Sequence, residues 1–202
     1  MRRLPRGKVP ANPNGDERPH RIVCWDLEIA TPVEEQLDGW EAARRGDCGI
    51  SALVLSDSET GRFHIYDKHT VLDGLAHLNS ADLLVGWNTL DFDSRVIQGV
   101  TGEYITVVQY DMLQAAWRGV GFRQKGWKLT QVAERALGLT KNGHGEYATA
   151  LAARGAWGSL FDYCLNDVHL VRQLYNKVVE QGWLPDPEGN EIHLDVPIAE
   201  FA

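Results

Sequence analysis

Between Ile22 and Ala30 the chain reads IVCWDLEIA, an apolar run that behaves like an interior strand except for two acids spaced two residues apart. Side chains alternate faces along a strand, so Asp26 and Glu28 point one way while Val23, Trp25 and Leu27 point the other. A single strand carboxylate is ordinarily solvent-facing. Two of them on one face of a buried strand are different, because each desolvated ion costs several kcal/mol and the pair adds mutual repulsion. The two acids alone decide nothing; joined by Asp93 and Asp167 further along the chain, they form a group whose difficulty a pair of divalent cations removes, and oxygen donors without a Cys or His cluster favour Mg²⁺ or Mn²⁺ over Zn²⁺.

The remainder of the chain predicts the frame for this strand. The apolar run at Ile50 to Asp57 and the shorter RFHIYD at Arg62 to Asp67 flank the turn-rich SETG and form a hairpin. The period then changes: Val71, Leu72, Leu75 and Leu78 recur at helical intervals, ADLLVGWN reads as a short buried strand ending at Asn88, DSRVIQGV as a helix and YITVVQYD as a strand. KLTQVAERALGL is an amphipathic helix with Gly138 near its end, and a long final helix carries the stripe Leu160, Cys164, Val168, Val171, Leu174 and Val178. The expected fold class is α/β, a mixed sheet of about five strands, an antiparallel hairpin followed by parallel strands, flanked by helices. Residues 1–20 read as a flexible basic arm, 21–182 as the folded domain and 183–202 as a C-terminal tail.

Charge excludes less than it suggests. The formal net charge is -8, without the broad basic footprint of many nucleic-acid binders, yet the first 20 residues carry +3 and leave -11 on the body. No apolar run approaches the roughly 18 to 20 residues that span a bilayer, and the basic start lacks the apolar stretch of a signal peptide. The expectation is a soluble, intracellular, cytoplasmic protein with no membrane partner. Cys24, Cys48 and Cys164 are odd in number, widely spaced and set among apolar neighbours, and read as buried free thiols.

Two further acids join Asp26 and Glu28 by context. Asp93 closes NTLDFD, just after the strand ending at Asn88, where it reads either as a helix N-cap or as part of the acidic group. Asp167 closes YCLND on the last helix, with Tyr163 one turn earlier on the same face, and its bland alternative is the wet edge of a surface helix. Asp111 in QYDML reads as the N-cap of a following helix. His144 and His169 receive no role.

Asp26-Leu27-Glu28, NTLDFD and YCLND resemble, in order and context, the three motifs of the DEDD 3′-to-5′ exonucleases, in the tyrosine subtype because Tyr163 stands four residues before Asp167. The histidine subtype would place His where this chain has Asp162. The similarity runs from about Arg21 to Val179. With DGW at Asp38 to Trp40, VGWN at Val85 to Asn88 and GHGEYATALAARGAW before the last helix, it is closest to a YprB-like ribonuclease H-like branch. Many members follow Asp-x-Glu with Thr-Thr-Gly, whereas IATP follows here, which touches substrate contacts beside the first strand and leaves metal binding intact.

The resemblance implies the ribonuclease H-like fold shared with polymerase proofreading domains, and hydrolysis of DNA or RNA from a single-stranded 3′ end to nucleoside 5′-monophosphates. It also implies two Mg²⁺ or Mn²⁺ ions about 3.5 to 4 Å apart. Asp26 would bridge both, Glu28 and Asp167 would complete the site of the attacking water, Asp93 would support the second ion, and Tyr163 would hydrogen-bond the nucleophile. For substrate grip, FRQKGWK interleaves cations and aromatics, so Arg123, Lys125, Trp127 and Lys128 are candidates to meet phosphates or stack a base, against a solvated loop in which Trp127 caps the core. Asn88 is either a substrate or Asp93 orienter, or a turn residue at a strand end. A polymerase or helicase partner would be a separate chain. Two other readings stand beside this one: a binding or scaffolding module without turnover, and a ribonuclease H-type or structure-specific endonuclease.

Overall fold

A computed structural model of the chain describes residues 21–139 and 146–197; the expected arm 1–20 and His144 lie outside them. Five strands, β1 (Ile22–Ile29), β2 (Ile50–Asp57), β3 (Arg62–Tyr66), β4 (Leu83–Gly86) and β5 (Val108–Asp111), form one sheet in the order β3-β2-β1-β4-β5. β1 pairs antiparallel with β2 and β2 with β3, whereas β4 runs parallel to both β1 and β5. This is the expected mixed α/β sheet, in the arrangement of a ribonuclease H-like fold.

The alternation in IVCWDLEIA becomes two cores. Val23, Trp25 and Leu27 are buried on one face with Val71, Leu75 and Leu78 of α2 (Val71–Leu78) and Val96 and Ile97 of α3 (Asp93–Thr101). Ile22 and Cys24 are buried on the other with α7 (Trp157–Gln181), whose six stripe residues are all fully buried. Each such aliphatic side chain contributes about 1.5–3 kcal/mol of burial, so α7 is locked in rotation about its axis by its own stripe. No helix among the described residues is long and apolar enough to cross a membrane.

Pairing of β1 with β4 stops early. Only Ile22, Cys24 and the residue between them face β4, at Leu83 to Val85, so Asp26 and Glu28 extend past the register of that strand. On the other side β1 stays paired, Asp26 opposite Val54 and Glu28 opposite Ala52, with an irregularity between Glu28 and Ile29. A cleft therefore opens where the parallel strands end, the place where open α/β sheets bind ligands.

Smaller helices complete the layers: α1 (Trp40–Arg44), α4 (Met112–Val120), α5 (Leu129–Leu137) and α6 (Glu146–Ala153). Asp111 caps α4 as expected, accepting from the N–H groups of Leu113 and Gln114. The segment read as a tail contains a hairpin, β6 (Trp183–Pro185) with β7 (Glu191–His193), and Leu184 and Leu194 join the core that α7 covers. Strands of three residues are too short for a period-2 pattern to declare itself, which is why the tail gave no signal.

Candidate active site

Asp26, Glu28, Asp93, Tyr163 and Asp167 line a single cleft of about 760 Å³, although they come from β1, the start of α3 and the middle of α7. Asp26 and Glu28 are half-buried, and Asp93, Tyr163 and Asp167 are buried. The α7 pair reaches the cleft because Tyr163 and Asp167 are four residues apart, beside the stripe that packs on the sheet. The wet-edge reading of Asp167 is thus corrected: only 8% of the residue is exposed.

Asp93 is also not an N-cap. Phe92 holds the cap position of α3 and makes no side-chain cap bond, while the Asp93 carboxylate turns inward and accepts from the backbone of Leu27, between the two β1 acids. Burial pushes the Asp93 carboxyl up to about 7, and the negative charge of Asp111 adds to the rise. A cation bound beside it would favour the ionised form, and the proton would leave to water.

Cys164 reports how closely the acids converge. Its thiol is fully buried, with Sγ 3.6 Å from the Asp26 carbonyl oxygen and 3.7 Å from Asp26 Oδ2. Burial pushes the thiol pKa well up, and the charges of Asp26, Glu28, Asp167 and Asp93 all push in the same direction. Ligand atoms of Asp26, Glu28 and Cys164 lie within 4.8 Å of one another, a group able to hold a metal ion. Besides the thiol, the donors in this group are carboxylate oxygens.

Asn88 lines the cleft in the left-handed region, at φ 67°, a conformation asparagine tolerates better than most residues. Its N–H donates to Asp111 Oδ1 at 3.0 Å and the Leu90 N–H to Asp111 Oδ2 at 3.0 Å. One buried carboxylate thereby shapes the loop that delivers Asp93 as well as capping α4. The sequence pointed to the capping role of Asp111 alone. The second role depends on the adjacency of β4 and β5, whose paired residues stand 25 positions apart and which no local pattern encodes.

The cation-rich loop divides. Lys125 and Lys128 are exposed residues of the cleft lining. Arg123 is outside that lining: its Nη2 lies 2.7 Å from Asp91 Oδ2 and its guanidinium 4.9 Å from the centre of the Trp117 ring. Trp127 lines the floor with only 3% of its surface exposed. Its Nε1 donates to Gln124 Oε1 at 3.1 Å and its carbonyl accepts from Trp87 Nε1 at 3.0 Å. That burial agrees with the reading in which Trp127 caps the core rather than stacking a base.

A second group of ligand atoms, from Asp57, His64 and His77, lies at the other end of β2. Arg21 already supplies a cation there, with Nη2 2.8 Å from Asp57 Oδ2 and 3.0 Å from His77 Nε2. Left to itself burial would raise the Asp57 carboxyl; hydrogen bonds from Arg21, His77 and the Glu59 N–H outweigh it and bring it to about 2.

No family model and no curated protein matches this chain. In fold, 115 solved chains match it. One is a family B DNA polymerase from the hyperthermophilic archaeon Pyrobaculum calidifontis, 16% identical, with a TM-score of 0.61 over 79% of this chain. The match spans 24% of the polymerase, so the present chain corresponds to about a quarter of that protein's length. At that identity the likeness establishes the shared fold.

Proposed function

We propose that the protein is a metal-dependent 3′-to-5′ exonuclease that hydrolyses DNA or RNA phosphodiester bonds. The observation that carries the reading is the convergence of Asp26, Glu28, Asp93, Tyr163 and Asp167 on one cleft from three separate elements. Four carboxylates gathered around a buried thiol are hard to account for as packing, since bringing them together costs desolvation and mutual repulsion that divalent cations would relieve. The fold likeness to a DNA polymerase agrees with the proofreading-type resemblance of the three motifs.

Asp26, Glu28, Asp93 and Asp167 would hold two Mg²⁺ or Mn²⁺ ions. When bound, such ions acidify water and neutralise charge on phosphate oxygens. The chain's own groups do the rest. Tyr163 orients the attacking water through its hydroxyl, the role the resemblance gives it. Lys125 and Lys128 on the rim meet the phosphates of the strand, and Asn88 borders the scissile end. Against two dications the four carboxylates sum to zero, so an anionic strand enters a cleft that would otherwise repel it.

The test is a 5′-labelled single strand incubated with Mn²⁺, Mg²⁺ or chelator. A descending ladder with either metal and none with chelator is expected, while a circular single strand stays intact. Asp26→Asn and Asp167→Asn should each abolish the ladder with the circular dichroism spectrum unchanged. Full activity in either variant rejects the site, and cutting of the circle replaces the exonuclease with an endonuclease.

A further inference from the structure

With Trp127 packed into the floor, the cleft needs another surface for a nucleobase. Its lining contains five aromatic side chains besides Tyr163: Trp40, Phe92, Trp117, Trp127 and Trp87. Trp87 and Trp127 are 7% and 3% exposed, and Arg123 lies over Trp117. Trp40 differs, with 56% of its surface open. A large exposed indole beside an acidic cleft is unusual for a residue whose only task is packing.

Trp40 is also held in place relative to the acids. Its ring meets Phe92, the residue before Asp93, in an edge contact at 5.3 Å and 77°. Four residues on, Arg44 Nε donates to the Asp91 carbonyl at 2.9 Å. Just beyond α1 the chain crosses α3 with no room for side chains: a Cβ on Gly46 would lie 2.5 Å from the Gly99 backbone, and one on Gly99 would lie 2.2 Å from the backbone of Arg45. Three independent contacts thus fix α1 to the loop and helix that carry Asp93.

We infer that Trp40 is the stacking platform for the 3′-terminal nucleobase of a single strand, with Phe92 buttressing it, so that the base is read by its face and not by its edge. The inference rests on the nuclease reading and adds the substrate feature that site requires, an unpaired base at the end being cut. Sequence tolerance follows, since every base offers a π face. Base–aromatic stacking is worth roughly 1–3 kcal/mol per base, about 5- to 150-fold in affinity.

The experiment is a two-by-two comparison of Mn²⁺-dependent degradation. Wild type and Trp40→Ala are each given single strands ending in a normal 3′ nucleotide or in an abasic one, with Trp40→Phe as the conservative variant. Trp40→Ala and the abasic end should each raise KM about tenfold or more and change kcat less, and together they should raise it no further than either alone, the mark of one shared contact. Trp40→Phe should recover most of the loss. If wild type degrades the strand while Trp40→Ala leaves KM unchanged, or the two losses multiply, the platform is overturned and the nuclease reading stands. If wild type degrades neither strand, the nuclease reading falls and the platform with it.

Discussion

Replacing Asp111 by alanine removes a single acceptor on which four backbone N–H groups converge. Oδ1 accepts from Asn88 and Leu113 at 3.0 Å each and from Gln114 at 3.2 Å, and Oδ2 accepts from Leu90 at 3.0 Å. Loss of the α4 cap costs about 1 kcal/mol. The Asn88 N–H, left without an acceptor in a half-buried loop, costs about 1–3 kcal/mol more, whereas the exposed Leu90 can turn to water. Burial raises the Asp111 carboxyl pKa, so some of this cost is offset when the charge is removed. The net expectation for Asp111→Ala is a loss of about 3 kcal/mol. Asp111→Asn keeps an oxygen where Oδ1 stands and gives up the Leu90 bond alone, so about 1 kcal/mol is expected. Equilibrium urea unfolding at constant m-value reads both numbers. Equal losses in the two variants, or less than about 1 kcal/mol for alanine, would refute the idea that one carboxylate organises both the loop and the helix.

Three further outcomes are expected. For Asp93 the folded pKa of about 7 lies above the ordinary carboxyl value of 3.8, so the native state holds the extra proton between those values and stability of the chelator-treated protein declines as pH rises across that window. Thermal melts from pH 4.5 to 7.5 should show that slope, and its persistence in Asp93→Asn would assign it elsewhere. Asp57 has the opposite sign: its folded pKa of about 2 lies below 3.8, so about 2 kcal/mol is present above pH 4 and lost as pH falls through 2. The stability difference between wild type and Asp57→Asn should shrink accordingly on acidification, and a difference independent of pH would contradict the ion pair with Arg21. Tyr163→Phe should lower kcat roughly tenfold or more with little change in the Mn²⁺ concentration for half-maximal activity, as removal of a group that orients water predicts; a large shift in metal requirement would make Tyr163 part of the metal site.

What could be read from the sequence is what repeats at short range. Alternation in IVCWDLEIA put Asp26 and Glu28 on one face, and the six-residue stripe of the last helix set the rotation that brings Tyr163 and Asp167 to the cleft. Both signals come from the periods of strand and helix. Asp93 was ambiguous because a helix start offers the same residue two environments, and only the short β1–β4 pairing makes room for it inside. Trp127 shows the same limit. An indole flanked by Lys125 and Lys128 looked accessible, yet its surroundings are decided by Gln124 and by Trp87, 40 residues away in the chain. The indole in DGW carried no local sign that it would remain open.

Asp26 and Asp167 stand 141 positions apart, and the second of them rides on the last helix to join the sheet. A chain emerging from the ribosome therefore possesses no complete acidic cleft until α7 has been made and has docked. On the nuclease reading, activity becomes a readout of finished folding, and a half-made molecule would have no means of cutting a strand beside it.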